Sequence, residues 1–93
     1  MNKQSPIGES WKDYKKTLLT PEERRELDIK VDIITAIINA RNTAGYSQKS
    51  LEKLSGVKQP IISRMENGET DPRLSTMLKL LEPLGKTLSV VEK

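Results

Sequence analysis

A chain of 93 residues with 34% apolar and 31% charged side chains, no Phe and a net charge of +3 makes one domain with a small core. It has no Cys and no His, which removes disulfides, thiolate metal sites, the commonest zinc ligand and the usual general base. Enzyme chemistry is therefore poorly provided for, and no cofactor or metal is expected. No apolar run approaches the ~18 residues of a membrane span, and the N-terminus lacks the apolar stretch of a signal peptide, so a soluble cytoplasmic protein is expected.

Residues 1–8 are polar and contain Pro6 and Gly8, the pattern of a flexible tail. In the next stretch Trp11, Tyr14 and Leu18 are spaced i, i+3, i+7, so a helix over residues 9–19 puts them on one face. Two readings fit this arm. Its aromatics staple it to the domain, or, with Leu18 and Leu19, they anchor a partner protein.

Thr20-Pro21-Glu22-Glu23 is a helix start: Thr20 suits the N-cap, Pro21 the first helical position, and Glu23 completes a capping box. The helix is expected to reach about Ala44, where Gly45 ends it in a left-handed conformation. Leu27, Val31, Ile34 and Ile38 recur at i, i+4, i+7, i+11, and Ile33, Ile37 and Ala40 widen that stripe into a core face.

Ser47 caps a second helix from Gln48 to about Leu54, with Leu51 and Leu54 able to face inward. Gly56 permits a sharp reversal, because without a Cβ it accepts positive φ. In the following helix Val57, Ile62 and Met65 face the core. The opposite side presents Gln59, Pro60, Ser63, Arg64 and Asn67, and Pro60 is tolerated in a first turn. Two short helices around a tight turn are a helix-turn-helix, whose second helix enters the major groove of DNA.

Each polar residue alone defaults to solvent exposure; their convergence on one face carries the functional reading. Gln48 has an amide for a phosphate beside a helix N-terminus, while Lys49 and Lys58 add charge. Gln59 and Arg64 are the candidate base readers, since Gln pairs bidentately with adenine and Arg with guanine. Ser63 and Asn67 are further polar contacts, and Pro60 or Ile61 can touch a thymine methyl. Residues 46–68 carry a net charge of +2, which agrees with a DNA contact without demonstrating one. Arg41 and Glu66 flank the motif near the core and are expected to form a structural ion pair.

Asn67-Gly68 marks a turn, and Asp71-Pro72 precedes a last helix from about Leu74 to Leu84, with Leu74, Met77, Leu78 and Leu81 inward and Gly85 as the stop. Thr87-Leu88-Ser89-Val90-Val91 shows partial alternation with β-branched residues. It reads as a short strand paired with the same strand of a second copy, or as a disordered tail. Leu84, Leu88 and Val90 are the residues offered to that dimer interface.

Arg41, Ser47-Gln48, Leu51, Gly56-Val57, Gln59, Ile62-Ser63, Met65-Glu66 and Gly68 together resemble the lambda-repressor/Cro-like (XRE) helix-turn-helix family over roughly residues 30–85. Leu19-Thr20-Pro21-Glu22-Glu23 and Leu81-Glu82-Pro83-Leu84-Gly85-Lys86-Thr87-Leu88, with the arm around Trp11, narrow this to a HigA-type antitoxin of a type II toxin–antitoxin pair. The resemblance implies an all-α, lambda-repressor-like bundle of about five helices, with an N-terminal helical arm and a short C-terminal strand for dimerisation. It implies a homodimer on an inverted-repeat operator that represses its own operon. It also implies a HigB/RelE-like mRNA-cleaving toxin as partner, forming a heterotetramer, with Trp11, Tyr14, Leu18 and Leu19 at the toxin. The expected division is an arm over residues 1–20, a helix-turn-helix domain over 21–85 and a dimerisation element over 86–93.

Three residues, at two places, depart from the family pattern. Glu52 stands where relatives have a small Ala for close helix packing, and Glu69 and Asp71 put negative charge in a loop that is often basic. The alternatives are a prophage or mobile-element regulator with no toxin, an interaction module that has lost DNA binding, and, least supported, an enzyme.

Overall fold

The structure, a computed structural model, describes residues 19–93. Of the helix expected over residues 9–19, residues 9–18, with Trp11, Tyr14 and Leu18, lie outside the described residues. Leu19 is half-buried and packs against the core.

Helix α1 spans Pro21–Ala44, and its first turn is fixed by reciprocal bonds: the Glu23 amide donates to Thr20 Oγ1 at 3.1 Å, and the Thr20 amide donates to Glu23 Oε1 at 2.9 Å. Two otherwise orphaned N–H groups are thereby satisfied. Gly45, at φ 79°, ends the helix. Helix α2, Gln48–Ser55, starts under Ser47, whose hydroxyl accepts from the Ser50 amide at 3.0 Å. Gly56 then turns the chain at φ 82°, a conformation that costs an L side chain about 1–2 kcal/mol. Helix α3, Gln59–Glu66, follows, with Pro60 in its first turn, where its missing N–H leaves no bond unmade.

Helix α4 spans Leu74–Leu81 and gives way to a 3₁₀ turn over Glu82–Leu84. A single helix to Leu84 is thus corrected to two pieces. Pro83 has no N–H for the carbonyl one turn earlier, so the α-helical ladder stops before it. Among the described residues there are four α-helices, one 3₁₀ turn and no strand. Residues 86–93, where the sequence reading expects a strand paired with a second copy, form none within one chain. An all-helical domain offers no sheet edge to pair with, so these residues have no ladder within one chain. Val90 and Val91 are exposed.

The core is made by Leu27, Ile34 and Ile37 of α1, Leu51 of α2, Val57, Ile62 and Met65 around α3, and Met77, Leu80 and Leu81 of α4. Val31, Ile33, Ile38 and Leu84 pack around it half-buried. Three inward assignments from the sequence, one on α2 and two on α4, are overturned. Leu54 is 52% exposed, because α2 buries only the stripe through Leu51. On α4 the buried face passes through Leu80 rather than Leu74 and Leu78, which stand 58% and 40% exposed.

The loop after α3 is tied back to α1. Lys30 pairs with Glu26 one turn earlier at 3.1 Å and with Asp71 across the loop. One of the two unusual loop acids thus serves an internal contact. The hydrogen bond that the Lys30 ammonium donates to Asp71, reinforced by Glu26, holds its pKa above the ordinary 10.5, against the smaller opposing effect of burial. A raised folded-state pKa means the clamp's stabilisation is complete below pH 10.5 and is lost as pH rises through the folded value. Urea midpoints across that alkaline range should therefore fall further for the wild type than for Lys30→Met. The difference is at most about 1 kcal/mol, as for surface pairs in general. Parallel curves for the two proteins would show that the clamp contributes nothing.

Candidate nucleic-acid interface

The turn at Gly56 sets α2 and α3 side by side, and the residues at their N-terminal ends meet in one hydrogen-bonded relay that begins in the core. Arg41, near the end of α1, approaches Glu66 in a fork: Nε to Oε2 at 2.8 Å and Nη2 to Oε1 at 2.9 Å. Its Nη1 donates to the Tyr46 carbonyl at 2.8 Å, which also ties down the α1–α2 connection. Both side chains are nearly closed off from solvent, 12% and 8% exposed. A desolvated carboxylate is tolerable only with donors on both oxygens. Gln48 supplies a third, its Nε2 lying 2.9 Å from Glu66 Oε1.

From there the polarity is forced. A carboxylate only accepts, so the Gln48 amide must turn its NH₂ inward and its carbonyl outward. That carbonyl Oε1 accepts from Gln59 Nε2 at 2.7 Å, so Gln59 in turn must point its NH₂ toward Gln48. Gln59 is left with its carbonyl oxygen and a second N–H. These are the acceptor and donor that a bidentate pairing with adenine requires. A buried ion pair therefore sets the hydrogen-bonding character of a surface residue about two side chains away.

The sequence reading put the Gln48 amide on a phosphate. One of its N–H groups is instead committed to Glu66, leaving the other. The relay from Glu66 through Gln48 to Gln59 was not foreseen. The signal was present in an acceptor-only residue beside two amides whose helix starts converge.

Around Gln59, Lys58, Pro60 and Arg64 are exposed and Ser63 is half-buried; Asn67 caps the end of α3 and is exposed. Ile61 is 44% exposed, so it too faces outward rather than packing fully on protein. Lys49 extends into solvent but stands 3.4 Å from Glu52 Oε1. That oxygen is shielded and receives no hydrogen bond, so Lys49 balances its charge without satisfying it. This is the physical consequence of a Glu where a small residue would fit. The structure brings Gln48, Lys58, Gln59, Pro60, Ser63, Arg64 and Asn67 together on α3 and the start of α2. Leu84, Leu88 and Val90 lie apart from them, in the 3₁₀ turn and the tail. Among the described residues no group of His, Cys, Asp and Glu could hold a metal ion, and no helix is long and apolar enough to cross a membrane.

This architecture, a helix-turn-helix whose second helix carries an ordered polar face, is that of a DNA-binding regulator. The chain belongs to the XRE-type helix-turn-helix family, a family of non-enzymatic DNA-binding proteins; the helix-turn-helix family pattern matches residues 37–91. It is 53% identical over 91 residues to an HTH-type transcriptional regulator of Haemophilus influenzae, covering 98% of this chain and 93% of that one. It is 35% identical over 78 residues to antitoxin HigA1 of Mycobacterium tuberculosis, which covers 84% of this chain but only 48% of the relative. Among solved structures, a chain of a toxin–antitoxin module from Streptococcus pneumoniae superposes with a TM-score of 0.66 at 47% identity, covering 100% of this chain and 97% of that one.

Proposed function

We propose that the protein is the antitoxin of a type II toxin–antitoxin pair and a repressor of its own operon. The observation that carries this is the similarity, along the whole chain, to a chain of a toxin–antitoxin module, combined with a helix-turn-helix whose Gln59 is oriented by its hydrogen bond to Gln48. In this reading Gln59 and Arg64 read bases, and Ser63, Asn67 and Pro60 extend the contact. Gln48, Lys49 and Lys58 hold the phosphates. A homodimer formed through Leu84, Leu88 and Val90 places two such helices on an inverted repeat, about one helical turn apart. The exposure of Val90 and Leu88 supports that use of the tail. The arm over residues 1–20 binds a HigB/RelE-like mRNA-cleaving toxin in the cytoplasm, giving a heterotetramer. The Haemophilus relative favours a second reading, a transcriptional regulator with no toxin, in which the arm only supports the fold.

The experiment is co-expression with the product of the adjacent gene, followed by purification of the complex and an operator gel shift. Trp11→Ala with Leu18→Ala should weaken toxin binding by about tenfold or more, as expected of an interface anchor, and leave operator binding unchanged. Equal toxin affinity in titration removes the arm from the toxin interface. No complex with the neighbouring product favours the regulator without a toxin.

A further inference from the structure

A groove of about 640 Å³ runs between the N-terminal half of α1 and the start of α4. Its floor is apolar, with Ile29, Ile33, Leu74 and Met77, and Glu22 and Arg73 stand at its edges. Ile29 and Leu74 are 53% and 58% exposed, the two large apolar side chains that the domain leaves open there. The Lys30–Asp71 pair fixes its width by tying the loop before α4 to α1. The groove lies away from the relay at Gln59, and nothing in the DNA reading uses it.

We infer that this groove is the seat of the chain's own N-terminal arm, occupied by the face formed by Trp11, Tyr14 and Leu18. Three observations point to this occupant. The arm leaves the domain at Leu19, which is anchored against the core, and Glu22 at the groove's edge is only three residues further on. Leu19 and Thr20 form a connection of the length that joins antiparallel helices. The spacing also matches. Helices rise about 1.5 Å per residue, and Trp11 lies as far before Leu18 as Ile29 lies beyond Glu22. A helical arm folded back along α1 therefore brings the indole over Ile29 and Leu74, with Tyr14 midway. The volume is that of a site able to enclose most of a ring-sized group. A connection this short also gives the arm an effective concentration in the millimolar range, ahead of any second copy at ordinary concentrations.

The inference goes beyond the antitoxin reading and does not depend on it. Its consequence there is that any partner binding the arm's apolar face competes with the groove.

The test uses Trp11, the sole tryptophan of the chain, in the full-length protein without DNA or toxin. Its emission should be blue-shifted from that of free tryptophanamide and protected from acrylamide quenching. Ile29→Gln with Leu74→Gln should shift the emission to the red and raise the quenching constant by about twofold or more, because most of the indole surface is then uncovered. Neither side chain belongs to the domain's own buried core, so circular dichroism should show the helices still folded and melting cooperatively, with only the contribution of the docked arm lost. Tyr14→Ala with Leu18→Ala, which leaves the domain untouched, should release the indole equally. A solvent-like emission in the wild type, or protection unaffected by both variants, overturns the inference. Protection lost on dilution together with dimer dissociation overturns it in favour of a second copy as occupant.

Discussion

Glu66→Ala is expected to lower the unfolding free energy by about 3–5 kcal/mol, because it leaves a buried guanidinium without its counter-charge. Domains of this kind are stable by roughly 5–15 kcal/mol in all, so the loss is a large part of the whole. Three hydrogen bonds disappear at once: two from Arg41 and one from Gln48. Of the Arg41 contacts, only that to the Tyr46 carbonyl remains to hold the guanidinium. Urea unfolding at neutral pH measures the effect as a drop in midpoint. A Glu66→Ala midpoint equivalent to within about 0.5 kcal/mol of wild type would show the pair to be dispensable.

The size of that loss does not mean that the pair is the most stable arrangement available. Desolvating two charges offsets most of their attraction, so Arg41→Met combined with Glu66→Leu should recover much of the stability lost by either single change. What the double variant cannot recover is polarity. Without the Glu66 carboxylate nothing dictates which end of the Gln48 amide faces inward, and Gln59 loses its fixed orientation. A double variant that folds well yet binds its operator poorly would locate the purpose of the pair in recognition rather than stability.

Much of this was legible in the sequence because it depends on local rules. Thr20 with Glu23, Ser47, Gly45 and Gly56 fixed the helix ends, since capping and left-handed turns depend on residues a few positions apart. The pairing of Arg41 with Glu66 is legible too, since two charges flanking an apolar motif have few other partners. Four features were not legible, and each has a distinct cause. Leu74 and Leu78 share a helical spacing with Met77 and Leu81, and spacing alone does not say which of two overlapping stripes turns inward. The tail alternates like a strand, but a ladder needs a neighbour that one chain does not supply. The relay through Gln48 depends on where two helix starts meet, which is tertiary geometry. Glu52 stands out in the sequence, but its shielded oxygen, which receives no hydrogen bond, depends on the packing around it.

Gln59→Ala should weaken operator binding by about 1–3 kcal/mol, roughly fivefold to 150-fold, while hardly changing affinity for unrelated DNA. The asymmetry follows from the chemistry: the residue is neutral, so its loss removes base readout and releases no fewer counterions. Arg64→Ala should cost a similar amount if its guanidinium holds a guanine. If it holds a phosphate instead, all sequences weaken together and the salt dependence falls by about one ion. Lys58→Ala should behave in this second way. Gel shifts on operator and scrambled duplexes at several salt concentrations separate the two patterns. Gln48→Ala provides the sharper control. The Gln48 and Gln59 side chains share a hydrogen bond of 2.7 Å, so removing Gln48 should take away part of what Gln59 contributes. The double variant should then be clearly less impaired than the two single losses summed. Additive losses would mean that Gln59 finds the base unaided and that the relay is only structural. If Gln59→Ala and Arg64→Ala both bind the operator like the wild type, α3 is not the reading helix.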